Sequence, residues 1–443
     1  MSQRAVSLLV IILGLVFCFK TAKADVLASL ETKGLSFISP DYENTKSSTF
    51  GFFGAVMKSD DSVSDSFKLN LKAMYAMGAP VLSYLNLSEL YFNYQIDSTS
   101  EIQIGRKINV WSRVDELWNL GFFQPQFRWN SLHPESQGLT GFFWNKKKNN
   151  FDFLLFASPV FIPDQGPGYV LINGQFESNN PWFLSPPQNI LFQNQILPID
   201  YKIETPNISD VIFQPHFGLQ MKYGDQSKGV FASLSSMYKP SHQMALGYKG
   251  VLVTDHVSIT ILPKTYYENL IAADIGYASE VSVVDISVLH SRPKSPDFDV
   301  NYNKPVLFES TSLSPHISLK ANSSLSFEAK ALITFGEDII EIGPDSNPSR
   351  QTLTTKYIYR NAYELSGMYQ SVFKNKFKMS NQIIWREAQK NNLRIFESKN
   401  IIALKGPWTF TFDIILIETS NESTSISNYR NLDQSWIGAS YDF

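Results

Sequence analysis

The chain closes on "QSWIGASYDF", residues 434–443. Ile437, Ala439, Tyr441 and Phe443 fall on one side of an alternating strand, and Gly438, Ser440 and Asp442 on the other. Successive strand residues point to opposite faces, so one apolar face runs to the terminal aromatic. Chain ends of soluble domains fray and are polar unless something ties them down. An aromatic ending in an alternating strand is therefore expected where lipid covers the apolar face.

The same pattern recurs upstream. In "SFKLNLKAMYAM" Phe67, Leu69, Leu71, Ala73 and Tyr75 oppose Lys68, Asn70 and Lys72. In "LSFEAKALITF" Leu325, Phe327, Ala329, Ala331, Ile333 and Phe335 oppose Ser326, Glu328, Lys330 and Thr334. In "PWTFTFDIILI" Trp408, Phe410, Phe412, Ile414 and Leu416 oppose Thr409, Thr411 and Asp413. These runs reach about 10 residues, the length a tilted membrane strand needs, whereas soluble strands run about 5–6.

The connections alternate in length as well. Tight turns are expected near Asp97 to Ser100, Lys146 to Asn149, Asp225-Gln226, Asp255, Ser279-Glu280, Ala321-Asn322-Ser323, Lys374-Asn375-Lys376 and Gly406. Long connections at 110–137, 161–209, 291–310, 337–356 and 418–431 fall between them. Short turns on one side and long loops on the other mark an outer-membrane barrel. About 19 strands are counted from residue 46 onward, and "VLASLETKGLSFI" adds a further candidate. Bacterial barrels take even numbers, so the expectation is an all-β, transmembrane antiparallel β-barrel of about 18 strands, with 16 and 20 as neighbouring counts. A soluble all-β protein would need a second sheet or helices over its apolar faces. Only one short helical stretch, Val114 to Leu120, is legible.

Composition bounds the remaining classes. Of 443 residues 43% are hydrophobic and 18% charged, with a net charge of −3. This excludes a disordered chain, and the absence of a basic stripe argues against nucleic acid. Residues 1–24 read as a signal peptide: Arg4, an apolar run from Val6 to Phe19, and Ala22-Lys23-Ala24 as the cleavage site. The apolar run is about 14 residues, short for a spanning helix. Cys18, the sole cysteine, lies within it after Phe17, which disfavours lipid attachment. Cleavage before Asp25 leaves 35 basic and 41 acidic residues and no cysteine, as expected of a bacterial envelope protein without a disulfide framework. Residues 25–443 form one barrel domain, with the loops at about 110–137 and 161–209 candidates for folding into the lumen.

The stretch "EIQIGRKINVWSRVDELWNLGFFQPQFRWNSLHPESQGLTGFFW", residues 101–144, runs from a strand through Gly105-Arg106 into a tryptophan-bearing loop and back. It resembles large outer-membrane porin families, in which a Gly-Arg strand end leads to a Trp-containing loop folding into the lumen. Those families commonly carry glutamine after the arginine and Trp-Gly in the loop, where this chain has Lys107 and Trp111-Ser112. The resemblance implies a solute channel and points to no single family. Barrels of 16–18 strands enclose an aqueous passage, and opposed charges on an inward loop select solutes by charge and dipole. Arg106, Lys107, Arg113, Asp115 and Glu116 are the constriction candidates. Lys68, Lys72, Glu328, Lys330, Arg386 and Asp413 are lumen-wall candidates. An arginine–carboxylate pair that only fixes the loop is the simpler reading of the first set. Trp144, Trp385, Trp408 and Trp436 fit interfacial girdles, although parity turns Trp436 inward. Ile437, Ala439, Tyr441 and Phe443 resemble the signal by which the barrel-assembly machinery recognises outer-membrane proteins.

Enzyme signals are weak. His133, His216, His242, His256, His290 and His316 show no metal-ligand spacing, and no GxSxG elbow or P-loop occurs. A rim hydrolase using His242 or His290 and a non-conducting surface barrel (adhesin, receptor or structural protein) are the alternatives to a passive channel. No cofactor or metal is expected. Expected partners are outer-membrane lipids and lipopolysaccharide, the assembly machinery and small hydrophilic solutes. One sequence leaves the oligomeric state open.

Overall fold

The computed structural model describes residues 26–38, 49–59, 66–183, 185–336, 359, 361–373, 376–388, 393–419 and 432–443. The segment expected to be a signal peptide, residues 1–24, the whole of the long connection 337–356, and most of 418–431 lie outside the described residues. Eighteen strands form one sheet in which each pairs antiparallel with the next, from Val26–Phe37 to Gln434–Asp442. The last strand pairs with the first, with Leu30 opposite Tyr441 and Gly34 opposite Ile437, so the sheet closes on itself. The stretch "VLASLETKGLSFI" thus supplies the first wall strand.

The expected turn near Asp255 needs correction. Ala245–Leu252 and Val257–Lys264 form a hairpin around it, but they leave the barrel and join Asn189–Phe192 and Gln195–Ile203 in a separate four-stranded sheet. Tyr248, Ile259 and Ile261 are buried there against Ile199, Tyr201 and Phe176. Alternation reports one apolar face; it does not say whether lipid or protein covers that face. Because a hairpin adds two strands, the error left the parity of the turns intact.

The wall strands sort as a membrane barrel requires. Trp408, Phe410, Phe412 and Leu416 are exposed on the outer face of Trp408–Thr419, whereas Ile415 and Ile417 are buried on the inner one. Ile437 and Phe443 are likewise exposed outward. Aromatic groups collect near both ends of the wall. Trp408, Tyr441 and Phe443 lie 5.0 and 5.1 Å apart in succession at the short-turn end. Phe217, Tyr238 and Tyr267 are spaced at 5.8 and 4.8 Å at the long-loop end. An apolar outer band flanked by aromatic girdles is the signature of an outer-membrane barrel.

The lumen is partly filled by its own loops. Residues 108–138 turn inward and pack Trp111, Val114, Trp118, Phe122, Phe123 and Trp129 against wall residues such as Phe52, Phe143 and Phe156. From the second long loop, Trp182 stacks on the inward-facing Trp436 with ring centroids 6.3 Å apart, while Asn189–Phe192 and Gln195–Ile203 of the same loop supply two strands of the outer sheet.

Phe412→Arg is expected to destabilise the barrel by about 2–4 kcal/mol, the cost of a cation on the lipid face near mid-depth. Urea unfolding in lipid vesicles checks this, with the lumen-facing Lys33→Arg as a near-neutral comparison.

Candidate functional site

The inward loop begins at a break in the wall. Gly105 adopts φ +133°, and a Cβ there would sit 2.3 Å from the Leu90 carbonyl oxygen, a conformation and a space open to glycine alone. Before it Gln103 is buried inward and Ile104 exposed outward. After it both Arg106 and Lys107 reach lumen groups. Arg106 Nη2 donates to Gln137 Oε1 at 2.7 Å, and Gln137 in turn donates to Asn86 Oδ1 at 2.7 Å. Lys107 donates to Gln103 and lies over the Tyr91 and Phe143 rings at 5.7 Å. Both residues are thus tied into the root of the loop.

The short helix Arg113–Trp118 is pinned to the opposite wall. The Arg113 N–H donates to Asp274 Oδ1 at 3.2 Å and the Val114 N–H to Ser287 Oγ at 3.0 Å. These are donors of a first helical turn, which have no partner within the helix. The far end is held by Trp118 Nε1, which donates to Ser314 Oγ at 3.0 Å, and by the Leu117 carbonyl, which accepts from Lys330 Nζ at 2.8 Å.

Asp115 faces away from open space. Its two oxygens accept the N–H groups of Phe122 and Phe123, each at 3.0 Å. Burial pushes its carboxyl above the usual carboxylate range, opposed by those backbone N–H groups. Arg113 spans Glu116 at 3.0 Å and the buried Asp285 at 3.4 Å. Glu116 keeps 44% of its side chain exposed, so it presents charge to the lumen.

From Asp285 a chain of opposite charges crosses successive wall strands. His316 lies 2.7 Å from Asp285 and 3.4 Å from Glu328. Lys330 lies 2.9 Å from Glu364, and Arg386 Nε donates to Glu364 at 2.7 Å. Arg386 also stands 3.5 Å from Glu397, which Lys399 approaches at 3.0 Å. Asp413 follows, opposite both Lys399 and Trp436 in register. On the other flank Lys72 pairs with Glu135 of the loop at 3.0 Å, and Asn86 donates to the same carboxylate at 2.7 Å. Burial alone would raise the Glu135 carboxyl; Lys72 and Asn86 outweigh it and hold the group below its usual range. Lys68 lies opposite Tyr91 toward the short-turn end.

Sequence reading singled out Glu328, Lys330 and Arg386, and the wall brings them together. It missed their partners Asp285, His316, Glu364 and Glu397, and Glu135 on the loop. The alternation did carry a signal: in "SVVDISVLHS" Asp285, Ser287, Leu289 and Ser291 share the face opposite Val284, Ile286 and Val288. Among the described residues no group of three or more His, Asp and Glu has metal-binding geometry. His242 lies against the Phe123 carbonyl and His290 against Thr311.

Asp115→Ala leaves two buried N–H groups without acceptors, a cost of about 1–3 kcal/mol. Hydrogen exchange of the Phe122 and Phe123 amides is expected to accelerate by roughly one to two orders of magnitude, with the wall strands unaffected.

No family model and no curated protein matches the chain. Among solved structures it is similar to a BenF-like porin from Pseudomonas fluorescens Pf-5, at 10% identity and a TM-score of 0.48, covering 95% of this chain and 99% of that one. It is also similar to OccK2 (OpdF) of Pseudomonas aeruginosa, solved in complex with glucuronate, at 8% identity and a TM-score of 0.47, covering 95% and 98%. A third is OmpT, an outer membrane protein of Vibrio cholerae, at 9% identity and a TM-score of 0.42, covering 95% and 97%. The architecture of this chain rests on its own strand pairing.

Proposed function

We propose that the chain forms a passive channel across the outer membrane for small hydrophilic solutes, with the 108–138 loop as its constriction. The observation that carries this reading is the placement of accessible charge inside the barrel. Glu116 and Glu135 on the loop each keep 44% of their side chains exposed, and Lys399 on the wall keeps 39%. Burying an unpaired charge is costly, so these partly exposed groups mark where water lies beside the loop, as a hydrated passage along it would require. Opposed charges at a narrowing act on a passing solute through its charge and dipole. Transport runs down the solute gradient.

A second reading is favoured by one observation. The hairpins of the outer sheet expose Leu191, Phe192 and Ile196 on one and Val251 and Leu252 on the other, an apolar surface suited to contact with another macromolecule. A surface-binding barrel with no through-passage is the alternative it supports.

Purified protein in planar bilayers is expected to give stepwise currents. Glu116→Gln removes an accessible negative charge and is expected to move the reversal potential toward anions. Arg113→Ala releases Glu116 and is expected to move it toward cations. Absence of current from correctly folded protein removes the channel reading in favour of the surface-binding one.

A further inference from the structure

The stretch "NKKKNN", residues 145–150, brings three lysines to one short turn. Asn149 there takes a left-handed φ of +54°, a conformation asparagine adopts more readily than most residues. The turn is tight, and Lys148 stands directly opposite Phe151. With the register fixed, alternation decides where each lysine points. Phe143 and Asn145 are buried on the lumen side, and Lys147 shares their face, opposite Asp152. Lys146 and Lys148 share the outer face with Phe142 and Trp144, opposite the exposed Phe153 and Phe151. These two exposed lysines therefore stand on the lipid side of the wall.

Their neighbours form the short-turn girdle of this sector. Phe151 lies 6.1 Å from Phe153 and 5.1 Å from Tyr223 of the next strand. Trp144 Nε1 donates to Ser100 Oγ of the preceding strand at 3.0 Å. At the corresponding ends of other wall strands the outer face carries exposed apolar or aromatic residues, among them Tyr277, Leu319, Phe373 and Leu404. Lys376 and Lys405 belong to turns, not to a wall face. Lys228 begins its strand opposite Asp225.

The charge of the pair is not met within the protein. Neither ammonium group forms an ion pair among the described residues. Asp97, in one flanking turn, acts on Lys146 through space, and its Oδ1 accepts the Thr99 N–H and hydroxyl, each at 2.7 Å. Asp225, in the other, accepts the Ser227 N–H at 2.8 Å. The whole chain has a net charge of −3, so any attraction for an anion here is local. Two strand residues separate Lys146 from Lys148 by about 6.6 Å. Both four-carbon stems can bring their ammonium groups to one phosphodiester, which lysine meets as a point charge. Lysines beside a membrane surface extend their charge to the headgroups while their stems stay on apolar ground. The short turns lie on the periplasmic side.

We propose that this face binds an anionic phospholipid of the periplasmic leaflet, its phosphodiester held between Lys146 and Lys148 and its acyl chains lying along Trp144, Phe151 and Phe153. The site does not depend on whether the barrel conducts.

The test is native mass spectrometry of the full barrel in detergent with equimolar phosphatidylglycerol and phosphatidylethanolamine of identical acyl chains. The barrel is expected to retain phosphatidylglycerol in preference. Lys146→Gln and Lys148→Gln are each expected to lower that preference about fivefold, the ratio that about 1 kcal/mol per cation near the surface gives. Replacing both lysines by arginine is expected to preserve it. Lys147→Gln, the same charge change on the lumen face of the strand, is expected to leave it unchanged. Glycerophosphoglycerol, the headgroup without acyl chains, is expected not to displace the bound lipid. Electrophoretic mobility before and after heating identifies correctly folded variants, and the arginine variant keeps the test valid where a glutamine variant fails to fold. Equal retention of the two lipids, a preference indifferent to both glutamine variants, an equal loss in Lys147→Gln, or displacement by the soluble headgroup overturns the proposal.

Discussion

Everything in this molecule depends on the pairing of Gln434–Asp442 with Val26–Phe37. In hydrocarbon each backbone N–H and C=O must find a partner within the protein, because no water is there to serve. An open eighteen-stranded sheet would leave two edges unpaired; closure removes both. The Phe443 N–H donates to the Ala28 carbonyl at 3.0 Å, so the pairing extends to the last residue. Closure also fixes two surfaces of opposite character, and the alternation in every wall strand follows from that.

Inside, the governing constraint is charge. Taking an ion out of water costs several kcal/mol, and removing one partner of a buried pair costs more than the pair gains. The wall answers with a sequence of alternating partners from Asp285 through His316, Glu328, Lys330, Glu364 and Arg386 to Glu397. The constriction loop plugs into both flanks of this chain, through Arg113 on Asp285 and through Glu135 on Lys72. The same groups therefore hold the loop in place and, on the channel reading proposed above, would line the passage beside it.

The barrel was legible because period-2 alternation and the parity of turn lengths each report the wall independently. The fate of the hairpin around Asp255 was not legible, since Tyr248, Ile259 and Ile261 alternate identically whether lipid or Ile199 and Tyr201 cover them. In the site, Gly105-Arg106 and the tryptophans announced an inward loop, and parity placed Glu328, Lys330 and Arg386 inside. What each charged group does depends on register between strands far apart in sequence: Arg113 meets Asp285 across 172 residues. Asp115 shows the limit best. Its type and position fit a pore-lining acid, yet its two oxygens are consumed by Phe122 and Phe123.

In the proposed channel an aqueous path runs past the Glu116 edge of a loop clamped across the lumen, with Asp115 on its closed side. The absence of cysteine from the described residues permits a direct measurement. A single cysteine is placed at Glu116 or at Asp115, and a charged, membrane-impermeant thiol reagent is added during bilayer recording. Glu116→Cys is predicted to react and lower the current in a discrete step, and Asp115→Cys to remain unreacted. Labelling at Glu116 that leaves the current unchanged would contradict the account.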